Sequence, residues 1–195
     1  MQEPITGFYG AVALSAALWA GGVAAQPLGG KEARAQLFSP KGATVEMMPL
    51  AFLTPENTAL LNQVAAGYAY YAAVAIAPGE DLLKSEATML VANQHSTEAA
   101  SKIALSQCDK ARKGKDKCVI AAVVRPEKWQ SGRLQLSVEA TVAMGKDYGR
   151  SGPRALVISP QSGAWALGKG ANAAATALGA CASKGATDCA LAVAD

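Results

Sequence analysis

Two side chains are the most plausible catalysts in this 195-residue chain: the single histidine, His95, and a lysine in a glycine-rich segment, Lys169. Histidine is a general base near neutral pH, and in many hydrolases it activates a serine that lies in a recognisable local motif. Neither G-x-S-x-G nor S-x-x-K occurs in the sequence. We therefore assign no catalytic residue and expect His95 near a helix cap or at the surface. A small periplasmic hydrolase or transferase that uses His95 or Lys169 is the alternative function.

Lys169 ends a segment that nearly matches the phosphate-binding pattern G-x-x-x-x-G-K-[ST]. In a true phosphate-binding loop the residue after the lysine carries a hydroxyl that holds magnesium, and here that residue is Gly170. The four residues that follow Gly163, Ala-Trp-Ala-Leu, are apolar, which is typical of a strand. We therefore expect no nucleotide and no other cofactor.

A basic run lies between the first two cysteines, Cys108 and Cys118. Residues 109–117 contain five basic side chains and two acids. The basic residues are Lys110, Arg112, Lys113, Lys115 and Lys117. Such a run can contact anionic lipid, a cell-wall polymer or an acidic protein, although charged runs usually only face water. The candidate partners are therefore an anionic component of the cell envelope or a protein.

Five aromatic residues form a second candidate binding surface. They are Tyr68, Tyr70, Tyr71, Trp129 and Trp165. Large aromatic side chains also cover the edge of an alanine-rich core, where they supply the apolar area that alanine lacks. We expect the core role for this set.

The chain carries the same order of predicted elements twice, over residues 71–124 and 154–195. In each copy the order is strand, turn, strand, helix, cysteine, short loop, cysteine, strand. The helical residues that correspond at a constant offset of 73 are Ala100 and Ala173, Ala104 and Ala177, Leu105 and Leu178, and Cys108 and Cys181. The first copy has nine extra residues between Pro78 and its helix, and two more between its cysteines. Differences confined to loops are expected of a structural repeat.

The duplication also predicts how the four cysteines pair. In an exported protein an even number of cysteines indicates disulfides, and four cysteines allow three connectivities. The repeat favours Cys108–Cys118 and Cys181–Cys189, each joining the end of a helix to the start of the next strand. A zinc site would need clustered CxxC motifs or histidines, and the sequence has neither. We therefore expect no metal.

Local signals predict the remaining elements. Ser-Pro-Lys-Gly at 39–42 has a type I turn signature, which predicts a hairpin between residues 35–38 and 43–46. A Thr-Pro start predicts a helix over 54–64, and a serine cap predicts another over 138–148. The predicted segments are a signal peptide (1–25), an N-terminal hairpin and helix (26–66), a first repeat (67–126), a connector with a helix (127–152) and a second repeat (153–195).

Composition and the N-terminal segment indicate the class of partner and the cellular compartment. The net charge of +3 is too small for a nucleic-acid-binding footprint, so we expect no nucleic-acid partner. Residues 5–25 are uncharged and end in Val-Ala-Ala before Gln26, a small-residue cleavage pattern. This predicts a secretory signal and a periplasmic or extracellular protein. An uncleaved membrane anchor is the alternative, since 21 uncharged residues are long enough to span a bilayer.

The paired cysteines belong to a pattern that resembles a known family. Three motifs carry the resemblance: Val-Ile-Ser-Pro-x-x-Gly-Ala-Trp at 157–165, the helix end Ala-Leu-x-x-Cys at 177–181, and Gly-Ala-Thr-Asp-Cys at 185–189. They resemble the bacterial exported domain of unknown function 4189, closely over 154–195 and more loosely over 71–124, where Ala92 replaces the tryptophan. The resemblance implies export and a helix–strand disulfide, and it brings no catalytic residues.

The sequence thus predicts an α+β fold: two ββαβ repeats that share an antiparallel sheet, with helices packed on it and a disulfide in each repeat. The predicted function is a small exported binding or structural module without catalysis. A pyridoxal-phosphate enzyme such as 5-aminolevulinate synthase is not supported, because it needs a Schiff-base lysine and a partner for the pyridinium nitrogen, and no matching motif occurs.

Overall fold

The computed structural model describes residues 26–195, so the predicted signal peptide lies outside the described residues. Helices in this part of the chain are α1 (Gly30–Gln36), α2 (Pro55–Ala66), α3 (Thr97–Ala111), α4 (Val138–Lys146) and α5 (Ala173–Ala182). Its strands are β1 (Ala43–Met47), β2 (Ala72–Ile76), β3 (Met89–Val91), β4 (Val119–Pro126), β5 (Arg154–Ile158), β6 (Trp165–Lys169) and β7 (Ala190–Ala194). The α+β fold class is confirmed.

The strands form two antiparallel sheets, where the sequence predicted one shared sheet. The first sheet has the order β1-β4-β2-β3 and the second has the order β6-β5-β7. We call residues 67–126 the first unit and residues 153–195 the second unit. Each unit contributes three strands to its own sheet, with the strand that follows the helix paired to the first strand of the unit.

The first sheet is covered by a helix on each face. Alternate residues of β2 point to opposite faces, so Val74 packs in one cluster with Leu61 of α2 and Ala75 packs in another with Ala100 of α3. Because alanines line α3 where it meets the sheet, the helix axis approaches the strands closely. These contacts fix α3, whose C-terminal end carries Cys108.

The second sheet is built in the same way. On one face Leu156 and Val193 pack against Met144 of α4 and Ala33 of α1. On the other face α5 lies so close to β6 that a Cβ atom on Gly168 would sit 1.9 Å from the carbonyl oxygen of Ala173. A glycine at this position is therefore required by the close approach of the helix.

Both predicted disulfides are confirmed. Cys108 bonds to Cys118 with a Cα–Cα distance of 6.0 Å, and Cys181 bonds to Cys189 with 6.1 Å. These separations lie within the usual range for a disulfide. In both units the bond joins the last turn or two of a helix to the residue just before the next strand.

The predicted N-terminal hairpin is wrong. Residues 30–36 form a helix, and β1 pairs with the distant strand β4. The N-terminal segment is held by long-range bonds: Leu28 bridges Val193, and the Gly30 N–H donates to Asp195 Oδ1 at 3.0 Å. The turn signature at 39–42 marks a bend but cannot specify which strand β1 will join.

The other local predictions are confirmed. Helix α2 begins after Thr54, whose Oγ1 accepts a bond from Asn57 N at 3.2 Å, and α4 begins after Ser137. Helix α3 begins after Ser96, whose hydroxyl accepts from the Ala99 N–H at 3.0 Å. Within residues 26–195, no helix has the length and hydrophobicity needed to cross a membrane.

Candidate functional site

His95 lies at the junction between the two units and is buried, with 2% of its surface exposed. Its Nδ1 accepts a hydrogen bond from the Ser137 N–H at 3.0 Å, and its Nε2 lies 3.1 Å from the Ala164 carbonyl oxygen. Because a carbonyl can only accept, Nε2 carries the proton and donates. His95 lies in the capping region of α3, one residue before the cap Ser96, as expected, but the alternative of a surface histidine is wrong because its ring is buried and bonds the connector and the second unit.

The surroundings of His95 hold the ring neutral. Burial lowers the pKa of His95 below its ordinary value of 6.5, and the bond to Ala164 and the charge of Asp188 offset this only in part. The ring also accepts from Ser137, the residue that caps α4, and the positive end of that helix disfavours an imidazolium. Both nitrogens are already hydrogen-bonded to backbone, so neither is free to take a proton from a substrate.

Lys169 is exposed at the end of β6, where its backbone pairs with Arg154. The glycine-rich segment that includes it is a strand, as its apolar residues predicted. Gly168 allows the close approach of Ala173 described above. Gly170, which follows the strand, has a φ of +83°. The near-match therefore does not form a phosphate-binding loop.

The five aromatic residues do not form one surface. Tyr70 and Tyr71 are fully buried and pack against each other edge to face at 5.4 Å, which confirms the core role for these two. Burial raises the pKa of both hydroxyls. Trp129 is half-buried under the Arg125 guanidinium, and Tyr68 is 47% exposed. Trp129 and Trp165 are partly buried and pack against two different core clusters, so the core role holds for four of the five and fails for Tyr68.

A hydrogen-bonded cluster that sequence reasoning missed lies at the turn between β5 and β6. The Asp188 carboxylate accepts bonds from the Ser159 hydroxyl and, at 2.8 Å, from the Gln161 N–H. Ser162 Oγ lies 2.6 Å from Ser159 Oγ. Burial alone would raise the pKa of Asp188, but these bonds outweigh it and the pKa is lowered. These bonds join the second cysteine loop to the turn between β5 and β6.

The basic loop, residues 109–117, comprises the last residues of α3 and the loop that follows it. The disulfide closes its ends, and Asp109 Oδ1 accepts the Cys118 N–H at 3.0 Å and the Arg112 Nε at 2.9 Å. Arg112 also donates to the Gly114 carbonyl at 2.6 Å. The bond from the Cys118 N–H, with smaller effects of Arg112, lowers the pKa of Asp109. The backbone of the loop is thus fixed by its own side chains.

A second carboxylate fixes the loop from outside. Glu80 Oε1 accepts the N–H groups of Lys113 at 2.7 Å and Gly114 at 2.8 Å, and its Oε2 accepts the Ser85 hydroxyl at 2.5 Å. The Ser85 hydroxyl, followed by the two N–H groups, lowers the pKa of Glu80. Glu80 was not singled out from the sequence, although it lies in the stretch where the first copy is longer than the second.

Four of the five predicted basic contacts stay free. Lys110, Lys113, Lys115 and Lys117 are exposed, and none forms a salt bridge within residues 26–195. Arg112 is tied to Asp109 by the bond already described. The loop therefore presents exposed ammonium groups on a hydrogen-bonded backbone, an arrangement suited to binding anions.

Within the described part of the chain, no group of three or more His, Cys, Asp or Glu residues is placed to hold a metal ion. Comparison with protein-family models, with curated proteins and with solved structures finds no match.

Proposed function

We propose that this chain is an exported, disulfide-stabilised binding module whose basic loop contacts an anionic partner. The observation that carries the proposal is the construction of the loop: a disulfide and two carboxylates fix its backbone while four lysines face solvent. A backbone that is ordered before binding loses less entropy when a partner docks. The lysines then supply attraction over a Debye length of about 8 Å at physiological salt.

Export supports this function and rests on several observations. Residues 1–25 have the pattern of a secretory signal. Two disulfides fit an oxidising compartment, where such bonds persist. The repeated order of elements in the two units further supports an origin by duplication.

A binding role is favoured over catalysis by the state of His95. Both ring nitrogens bond to backbone groups of other segments, so the ring acts as a bridge between units. Lys169, the second candidate in the sequence, lies on an exposed strand end away from this junction's hydrogen bonds.

The test measures binding of a soluble polyanion, inorganic polyphosphate, as salt concentration is raised. The variant changes Lys110, Lys113, Lys115 and Lys117 to Gln. The control variant removes the same charge elsewhere, at exposed lysines of other segments: Lys31, Lys41, Lys128 and Lys146.

We expect the loop variant to bind about tenfold more weakly or worse, since each exposed contact contributes roughly 0.2–1 kcal/mol. The control variant should stay within about threefold of the wild type, reflecting only the loss of net charge. Equal losses in the two variants would show that net charge alone drives binding, and the proposal would then be wrong.

A further inference from the structure

The two stretches in which the first unit is longer than the second meet in space. One is the insertion loop, residues 77–88 between β2 and β3, whose counterpart in the second unit is the shorter turn 159–164. The other is the basic loop. Glu80 belongs to the insertion loop, and its Oε1 accepts both N–H bonds from the basic loop. The two loops thus form one surface that the second unit lacks.

The insertion loop is ordered by its own hydrogen bonds. Asp81 Oδ1 accepts the Leu83 N–H at 3.0 Å, and the Asp81 carbonyl accepts the Ser85 N–H at 2.8 Å. The Thr88 hydroxyl donates to the Leu82 carbonyl at 3.0 Å. These bonds hold Leu83 at the tip, where 78% of its surface is exposed, the largest value among the exposed large apolar residues of 26–195.

Apolar and basic side chains adjoin at this surface. A cleft of about 320 Å³ is lined by Phe52, Leu82 and their neighbours, and a second of about 220 Å³ is lined by Lys84 and Lys113. Glu80 and Asp81 line both clefts. We call Phe52, Leu83, Lys84, Lys113 and Lys115 the loop patch; Phe52 is 49% exposed.

Acidic residues also lie at this surface, and most of them accept hydrogen bonds from backbone N–H groups. Glu80 and Asp109 accept backbone N–H groups of the basic loop and its end. Asp81 accepts the Leu83 N–H and lies 3.5 Å from Lys84. Glu86 and Asp116 are exposed. The basic loop has five basic and two acidic residues and the insertion loop has one and three, so the positive charge of this surface lies on the basic loop and the two loops together carry +1.

We propose that the loop patch docks on the surface of an anionic lipid bilayer, with Leu83 and Phe52 entering the headgroup region and the lysines facing the phosphates. This rests on the proposed function, since it names the source of the anionic groups. Exposed lysines beside exposed apolar side chains are the pairing that interfacial binding uses: charge attracts, and apolar burial adds to it. A soluble polyanion would contact the lysines, but it offers no apolar region in which the Leu83 side chain could be buried.

The experiment compares binding to two kinds of vesicle, phosphatidylcholine alone and phosphatidylcholine mixed with phosphatidylglycerol, and to polyphosphate. The test variants are Leu83→Ser and Phe52→Ser. The matched control is Leu178→Ser, which removes a leucine that is 39% exposed on α5 of the second unit. Circular dichroism and thermal unfolding check that each variant is folded.

We expect the wild type to bind mixed vesicles and to leave phosphatidylcholine vesicles unbound. Leu83→Ser should weaken vesicle binding about tenfold and leave polyphosphate binding unchanged, because the leucine contributes only where it can be buried. Leu178→Ser should change neither. Because Phe52 lines a cleft, its variant is interpreted only if thermal unfolding is unchanged, and it should then lose about fivefold on vesicles.

Binding to polyphosphate with no binding to mixed vesicles would overturn the lipid inference and leave the proposed function standing. Vesicle binding that is equal in Leu83→Ser and wild type would overturn the lipid inference as well. Failure to bind either probe would overturn both.

Discussion

The two units form the same kind of contact between two loops, but a different loop supplies the carboxylate in each. In each, a carboxylate joins the loop between the cysteines to the turn between the first two strands. In the first unit the carboxylate is Glu80, on the strand turn, and it accepts N–H groups of the cysteine loop. In the second it is Asp188, in the cysteine loop, and it accepts the Ser159 hydroxyl and the Gln161 N–H of the turn.

What the loops present to solvent differs. The loop of the second unit has one basic residue, Lys184, whose Nζ donates to the Trp165 carbonyl at 2.6 Å and lies 4.9 Å from the centre of its ring. The basic loop of the first unit leaves four lysines free. The scaffold thus serves stability in both units, while the surface that we propose for a partner belongs to the first unit.

The largest expected effect comes from breaking the junction between the units. His95→Ala should lower the free energy of unfolding by about 3–5 kcal/mol, because it leaves the Ser137 N–H and the Ala164 carbonyl unpaired and opens a cavity. Urea unfolding measures the change. Lys169→Ala, at an exposed position, should stay within about 0.5 kcal/mol of the wild type. A loss below about 1 kcal/mol for His95→Ala would show that the junction is not held by this ring.

Removing the disulfides sharpens the comparison of the scaffolds. Replacing both cysteines of either pair by serine should lower the free energy of unfolding by about 2–3 kcal/mol, and by similar amounts in the two units, since the separations of 10 and 8 residues are nearly equal. Chemical denaturation of each double variant checks this. If the loss of one pair changes the free energy of unfolding by less than about 0.5 kcal/mol, that unit does not depend on its disulfide, and the two units differ in this respect.

A smaller effect is expected from pH. The folded-state pKa of His95 is lowered below 6.5, so the unfolded chain binds the proton more readily. The contribution of the neutral ring is therefore present above about pH 6.5 and is lost as pH falls below it, with a slope of at most about 1.4 kcal/mol per pH unit. The lowered pKa values of Glu80, Asp109 and Asp188 add a further loss only near and below their ordinary range around 4.

Urea unfolding of the wild type and of His95→Asn between pH 7.5 and pH 5 tests this assignment. The asparagine variant, which cannot titrate, should lack the loss between pH 6.5 and 5. An equal loss of stability in both proteins would show that a group other than His95 causes it.

The sequence predicted what is local and missed what is long-range. The disulfides follow from alanine stripes and cysteines that recur at nearly constant spacing, so their pairing could be inferred. The partners of His95 lie 42 and 69 residues away, and no local pattern specifies them. Glu80 reaches across 33 residues to Lys113. The extra length of both loops was visible in the sequence, but their contact depends on how β2 and α3 pack.

The difference between the two loops is tested most directly by nuclear magnetic resonance of the ¹⁵N-labelled protein titrated with polyphosphate. The backbone amide shifts of residues 109–117 should change with increasing polyphosphate, and those of residues 182–188 should not, because Lys184 is already bonded to Trp165. Raising the salt concentration should reverse the changes. Changes of equal size in both loops, or larger ones at 182–188, would contradict the assignment of the binding surface to the first unit.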